Sequence, residues 1–176
     1  QNYDFSYPNY TQVVWGNQHP SKTLRLLYEY AFFPRQLKND ELSFLHAPSN
    51  LLPLRKVCPY VVTIHDMSYF VDTSRYTRAK VMYWQTVTRR TIKLADYIIT
   101  DSEYSRQDIL RFFDFDPDYI IPIYIAPGDS FKKVDADLVG ESFLKKHNLK
   151  NRRYILNVGT LEPGKNQARL VRAFHT

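Results

Sequence analysis

Two stretches of the 176-residue chain bring chemically competent side chains to the end of an apolar run. In the first, Thr63-Ile64-His65-Asp66, a β-branched run delivers an imidazole and a carboxylate together. If that run is a strand of an open parallel sheet, they emerge at the edge where such sheets bind ligands. An imidazole there can hold or move a proton, and the plainer reading is a hydrogen-bonded strand-end histidine. In the second, Tyr154–Val158 runs into Gly159-Thr160-Leu161-Glu162-Pro163-Gly164-Lys165-Asn166 and then into an apolar-periodic segment. A strand, a glycine-containing turn, a lysine and a helix make an anion-binding arrangement, because exposed amides at a helix start carry partial positive charge and the lysine adds a full one. The plainer reading is a solvated turn lysine.

Other constellations are weaker. Gly159-x4-Gly164-Lys165-Asn166 lies one residue from a P-loop. Against that, Asn166 offers no hydroxyl to Mg²⁺, Glu162 places a carboxylate in the cradle, and residues 167–176 leave no room for a following Walker B strand. Asp114-Phe115-Asp116 and Asp135-Ala136-Asp137 offer oxygen ligands to a hard cation, but the first is ordinary turn chemistry and the second lies in a connector, so no metal site is expected. His19, His46, His147 and His175 occupy no comparable position, and no Gly-x-Ser-x-Gly elbow supports a serine nucleophile.

The elements that must position these groups follow from the patterning. Short apolar runs at Leu42–His46, Tyr60–Ile64, Tyr97–Thr100, Ile120–Ile125 and Tyr154–Val158 alternate with helix-length segments at Lys22–Phe33, Thr77–Ala95, Glu103–Phe113, Asp137–His147 and Gln167–Phe174. That alternation predicts an α/β fold, a Rossmann-like parallel sheet with flanking helices. Pro122 cannot donate to a ladder, so its strand belongs at an edge or carries a bulge. In the second helix Tyr83, Val87, Thr91 and Leu94 form one stripe, flanked by Trp84 and Ala95, with Arg89 and Lys93 opposite. Asp101 or Ser102 can cap the third helix, and Ser105-x-x-Asp108 is a rival capping box.

Composition narrows the classes. The single cysteine, Cys58, excludes an internal disulfide and fits a reducing compartment, the cytoplasm. The chain carries no apolar run of the roughly 20 residues needed to cross a bilayer. Lys and Arg total 24 against 18 Asp and Glu, a net +6, and residues 73–95 hold Arg75, Arg78, Lys80, Arg89, Arg90 and Lys93 with no acid among them. Charge so concentrated fits a phosphorylated ligand, a lipid surface or nucleic acid, against the plain alternative of a solvated helix face.

Taken in series, Thr63-Ile64-His65-Asp66-Met67, the run Ala95 to Ser105, Ala126-Pro127-Gly128-Asp129 with Phe131, and Val158 to Asn166 resemble the group 1 (family 4) glycosyltransferases of GT-B fold, in order and in spacing. The resemblance implies a retaining transferase that moves a sugar from a nucleotide-sugar donor to a glycan or lipid-linked acceptor. It implies no cofactor, the nucleotide-sugar being a substrate, and no nucleic acid partner. His65 matches the family histidine that faces the donor sugar. Lys165 matches the lysine that holds the donor diphosphate, with Gly159 and Thr160 in the turn before it. Many relatives carry a basic residue where this chain has Thr160 or Gly164.

On the same resemblance, residues 1–130 form an acceptor-side domain lacking its first strand and loop. Residues 131–153 connect, and residues 154–176 begin the nucleotide-sugar-binding domain. The glycine-rich loop and the Glu-x7-Glu element of the family are missing, so the chain reads as an internal piece, inactive by itself. Arg89, Arg90 and Lys93 are candidate contacts to an acceptor or to anionic membrane, a peripheral attachment. A non-catalytic glycan-, lipid- or partner-binding module is the rival from another class.

Overall fold

The structure, a computed structural model, describes residues 8–9, 33–128, 131–132, 140–150 and 152–175. Its centre is a four-stranded parallel sheet in the order β1 (Leu45–Ala47), β2 (Tyr60–Thr63), β3 (Tyr97–Thr100), β4 (Ile120–Pro122). Adjacent parallel strands need a crossover. α2 (Ser68–Val71) and α3 (Arg78–Leu94) supply it between β2 and β3, and α4 (Glu103–Phe112) supplies it between β3 and β4. α1 (Phe33–Asn39) precedes the sheet, and α5 (Glu141–Lys146) and α6 (Gln167–Phe174) follow it.

The strands are short and apolar because helices and loops cover them. Tyr60, Val62, Ile64, Ile98, Ile109 and Ile120 are almost wholly buried, with Leu52, Met67 and Ile92 in the same cluster. Burial of this kind stabilises by about 1.5–3 kcal/mol per large aliphatic side chain. Asp96 fastens the start of the sheet: its carboxylate accepts from the Tyr60 amide at 2.7 Å and from Lys56 at 2.6 Å, while its own amide donates to the Tyr60 carbonyl. Burial by itself raises the Asp96 pKa, but these two donors outweigh it, and the carboxyl lies below its ordinary value.

Sequence expectations and structure differ at several places, each with a physical cause. β4 stops at Pro122 rather than Ile125: Pro122 faces Thr100 without an amide hydrogen, Ile123 makes a last bond to the Thr100 carbonyl, and residues 123–125 are exposed. β4 is an edge strand among the described residues, as Pro122 requires. The first strand is Leu45–Ala47 rather than Leu42–His46. The buried stripe of α3 is Val87, Thr88, Thr91 and Ile92, with Tyr83 exposed, because only the C-terminal half of that helix lies on the core. Tyr154–Val158 forms no strand: no neighbour among the described residues offers it a ladder, and a strand without partners leaves its backbone groups to water. Of the expected helix Lys22–Phe33 only Phe33, where α1 begins, is described, and Asp129 and the Asp135–Asp137 pair lie outside the described residues. The last helix occupies Gln167–Phe174 as the sequence predicts.

Candidate functional site

The register of β2 and β3 sets the first site. Thr63 faces Ile99, so two residues further along His65 and Asp101 leave the sheet side by side at its C-terminal edge. The His65 Nδ1 lies 2.7 Å from Asp101 Oδ2, and its Nε2 lies 3.1 Å from the Pro48 carbonyl oxygen. A carboxylate and a carbonyl both only accept, so the imidazolium form is the one that satisfies both contacts. The hydrogen bond to Asp101 accordingly raises the His65 pKa above its ordinary value near 6.5. Partial burial opposes that shift, and the Pro48 carbonyl and the charges of Asp101 and Asp66 add to it.

Asp101 is available for this because Ser102, not Asp101, caps α4, its hydroxyl accepting from the Ser105 amide at 3.1 Å. Ser105 is buried in turn, and its hydroxyl donates to the His65 carbonyl at 2.9 Å. Both strand ends are therefore tied to one helix start. Sequence reasoning read Asp101 and Ser105 as capping candidates within the run Ala95 to Ser105 and gave neither a role beside His65. The available signal was that two adjacent strands each end in an apolar run followed by a charged residue.

The second site lies at 159–166. Pro163–Lys165 forms a 3₁₀ turn, Asn166 takes the left-handed conformation (φ 55°, ψ 30°), and α6 follows. Asparagine tolerates that conformation better than most residues. Gln167 reaches back to donate to the Thr160 carbonyl at 2.7 Å, which closes the turn. Lys165 is exposed there, and Gly159 has only the Lys165 and Gln167 side chains close to where a Cβ would stand.

Gly164 differs from the other described glycines. Its backbone does not occupy the left-handed region, yet a Cβ built on it would run into the guanidinium of Arg75. The missing side chain thus admits a cation from the segment between α2 and α3. Arg75 also lies 3.9 Å from Asp72 and over the Tyr76 ring at 5.6 Å. Arg75 thus stands beside the turn that carries Lys165.

On α3 the three basic candidates separate. Arg89 and Lys93 are exposed, with the Arg89 guanidinium over the Phe70 ring at 5.2 Å. Arg90 turns inward and donates to the Leu52 carbonyl at 3.3 Å and the Pro53 carbonyl at 2.5 Å, so it holds a loop rather than facing solvent. Asp116 caps the 3₁₀ turn Pro117–Tyr119 by accepting from the Asp118 amide, the turn chemistry expected of that acidic cluster. No helix among the described residues is long and apolar enough to cross a membrane.

Residues 4–125 match the family model of glycosyltransferase family 4. O-antigen chain mannosyltransferase B of Escherichia coli is 31% identical over 130 residues, 73% of this chain and 33% of that protein. The chain thus corresponds to about a third of that relative's length. The parallel sheet with flanking helices is that of a Rossmann-like half of a GT-B fold, and the chain belongs to glycosyltransferase family 4.

Proposed function

We propose that the protein containing this chain is a retaining hexosyltransferase that carries a sugar from a nucleotide-sugar donor to a glycan or lipid-linked acceptor in polysaccharide synthesis. The observation that carries the reading is the His65–Asp101 pair at the C-terminal edge of the parallel sheet, in a chain of this family. In this reading residues 1–130 are the acceptor side, 131–153 the connector, and 154–176 the start of the nucleotide-sugar-binding domain. The relative's name makes a mannose donor the first to try.

Asp101 fixes the ring plane of His65 and favours its charged form, so the ring presents a polarised N–H to a hydroxyl of the bound sugar when the Pro48 carbonyl gives way. Lys165 and Arg75 place positive charge at the departing diphosphate, the electrostatic task that a divalent cation performs in other transferases. Gly159 and Thr160 form the turn that lets phosphate oxygens approach the backbone. The exposed Arg89 and Lys93 draw the protein to anionic lipid headgroups, near a lipid-linked acceptor, at about 1 kcal/mol per basic residue at low salt.

Purified intact protein, offered GDP- and UDP-hexoses with a glycan acceptor, is expected to form a glycosidic bond with retained anomeric configuration and to release nucleoside diphosphate. Glycan binding with no transfer from any sugar nucleotide would replace this reading with a non-catalytic glycan-binding module.

A further inference from the structure

Past the bond from the Ile64 amide to the Ile99 carbonyl at 2.8 Å, a run of hydroxyls joins the ends of β2 and β3. The direction of each bond follows from what its partner can do. The His65 carbonyl only accepts, so the Ser105 hydroxyl commits its one hydrogen there, at 2.9 Å. The Ser105 oxygen is then left to accept from the Ser102 hydroxyl at 3.1 Å, while the Ser102 oxygen accepts from the Ser105 amide at 3.1 Å. Behind them the Thr100 hydroxyl donates to the Ser102 carbonyl at 3.1 Å.

This chain of three side chains brackets Asp101 and ends on His65. Thr100 and Ser102 stand on either side of Asp101 and are tied to each other, and Ser105 carries the tie across to the histidine backbone. Thr100 and Ser105 are buried. Hydroxyls aligned in such a setting polarise one another and lose their freedom to turn. The 2.7 Å contact between His65 Nδ1 and Asp101 Oδ2 is therefore made by side chains whose backbones are already joined.

We propose that Ser105 is a positioning residue for the transfer reaction: through its bonds to His65 and Ser102 it holds the histidine and Asp101 at the separation that aims the ring, an inference that rests on the transferase reading above. Helix capping does not account for a hydroxyl at this place. The Ser102 oxygen caps α4 through the Ser105 amide, which any residue at 105 would supply, and the first turn of a helix accepts alanine readily. What the Ser105 side chain adds is the bond to the other strand. A reacting group gains most from being held in place before the substrate arrives, and a misplacement of about 1 Å can cost about 10²-fold in rate.

The test compares Ser105→Ala, Ser105→Thr and Thr77→Ala in the intact protein by steady-state kinetics, urea denaturation and NMR titration of the His65 ring, its resonance identified by its loss in His65→Gln. Thr77→Ala removes the side-chain cap of α3 and serves as the structural control. The charges that face the His65 ring are those of Asp101 and Asp66, and Ser105→Ala alters neither, so a shift in titration reports the distance to Asp101. Ser105→Ala is expected to lower kcat about tenfold at unchanged donor KM. It should also move the His65 pKa down toward its ordinary value near 6.5. Ser105→Thr should restore both, and Thr77→Ala should cost stability with the His65 titration unmoved. A Ser105→Ala protein with the parent's kcat and His65 titration would overturn the proposal, as would a fall in kcat with the titration unmoved, or a Ser105→Thr protein of parental stability that behaves as Ser105→Ala does. If the parent protein transfers no sugar, the transferase reading fails separately, and the His65 titration alone decides whether Ser105 positions the ring.

Discussion

Tyr60–Thr63 and Tyr154–Val158 are nearly the same text: a tyrosine, a β-branched or aliphatic run, then a turn carrying a candidate site residue, His65 or Lys165. In the first, Tyr60 and Val62 are wholly buried between two neighbouring strands. In the second, Leu156 is 75% and Val158 86% exposed, and no strand forms. Hydrophobic patterning specifies willingness to be a strand, and ladder partners decide whether one exists. The His65 edge therefore rests on paired strands, whereas the turn at 159–166 rests on its own hydrogen bonds.

The largest effects that could break this contrast concern folding. Ile98→Ala is expected to destabilise the chain by about 2–5 kcal/mol, as a wholly buried isoleucine should. Leu156→Ala in the same chain is expected to change stability by less than about 0.5 kcal/mol. Urea denaturation midpoints measure both, and equal costs would mean that residues 154–158 are as well packed as the sheet.

At the anion turn, Lys165→Ala in the intact protein should weaken donor diphosphate binding by about 1.5–3 kcal/mol, the scale of a lost charge-assisted hydrogen bond. Gly164→Ala should weaken it as well, by displacing Arg75, but should have little further effect once Arg75 is alanine. Calorimetry across that double-mutant cycle reads the coupling. Additive losses would show that Arg75 does not serve the turn.

Smaller effects come from titration. The His65 pKa is raised in the folded state, so the Asp101 contact stabilises fully below about pH 6.5 and that contribution is lost as pH rises through the folded value. The Asp96 pKa is lowered, so its contribution is present above about pH 3.8 and is lost as pH falls through the folded value. Asp101→Asn should remove the alkaline limb of the stability profile and leave the acid limb, and an alkaline limb that persists would contradict the pairing. The His65 side chain is 52% exposed, so solvent screening keeps this limb shallow. Smallest of all, Arg89→Glu with Lys93→Glu should reduce sedimentation with anionic vesicles and leave neutral vesicles unaffected. Equal binding of the double variant and its parent would leave α3 without a membrane role.

How much of this was legible in the sequence varies with the range of the interaction. The sheet, α3 and α6 were legible because periodicity is local, and Pro122 marked the edge because its missing amide hydrogen is a property of one residue. His65 stood out by its place at a strand end. Its partner did not: pairing His65 with Asp101 requires the β2–β3 register, which residues 36 apart do not announce. Arg75 at Gly164 was hidden for the same reason, since a glycine tells nothing about which distant side chain will occupy the space it leaves.

The most direct measurement is kcat of His65→Ala in the intact protein, with folding monitored by circular dichroism. With the ring held by Asp101 at the sheet edge and meeting the sugar in the transition state, kcat should fall by about 10²-fold or more while the fold survives. A folded His65→Ala protein with the kcat of its parent would contradict the assignment and leave His65 a hydrogen-bonded strand-end residue.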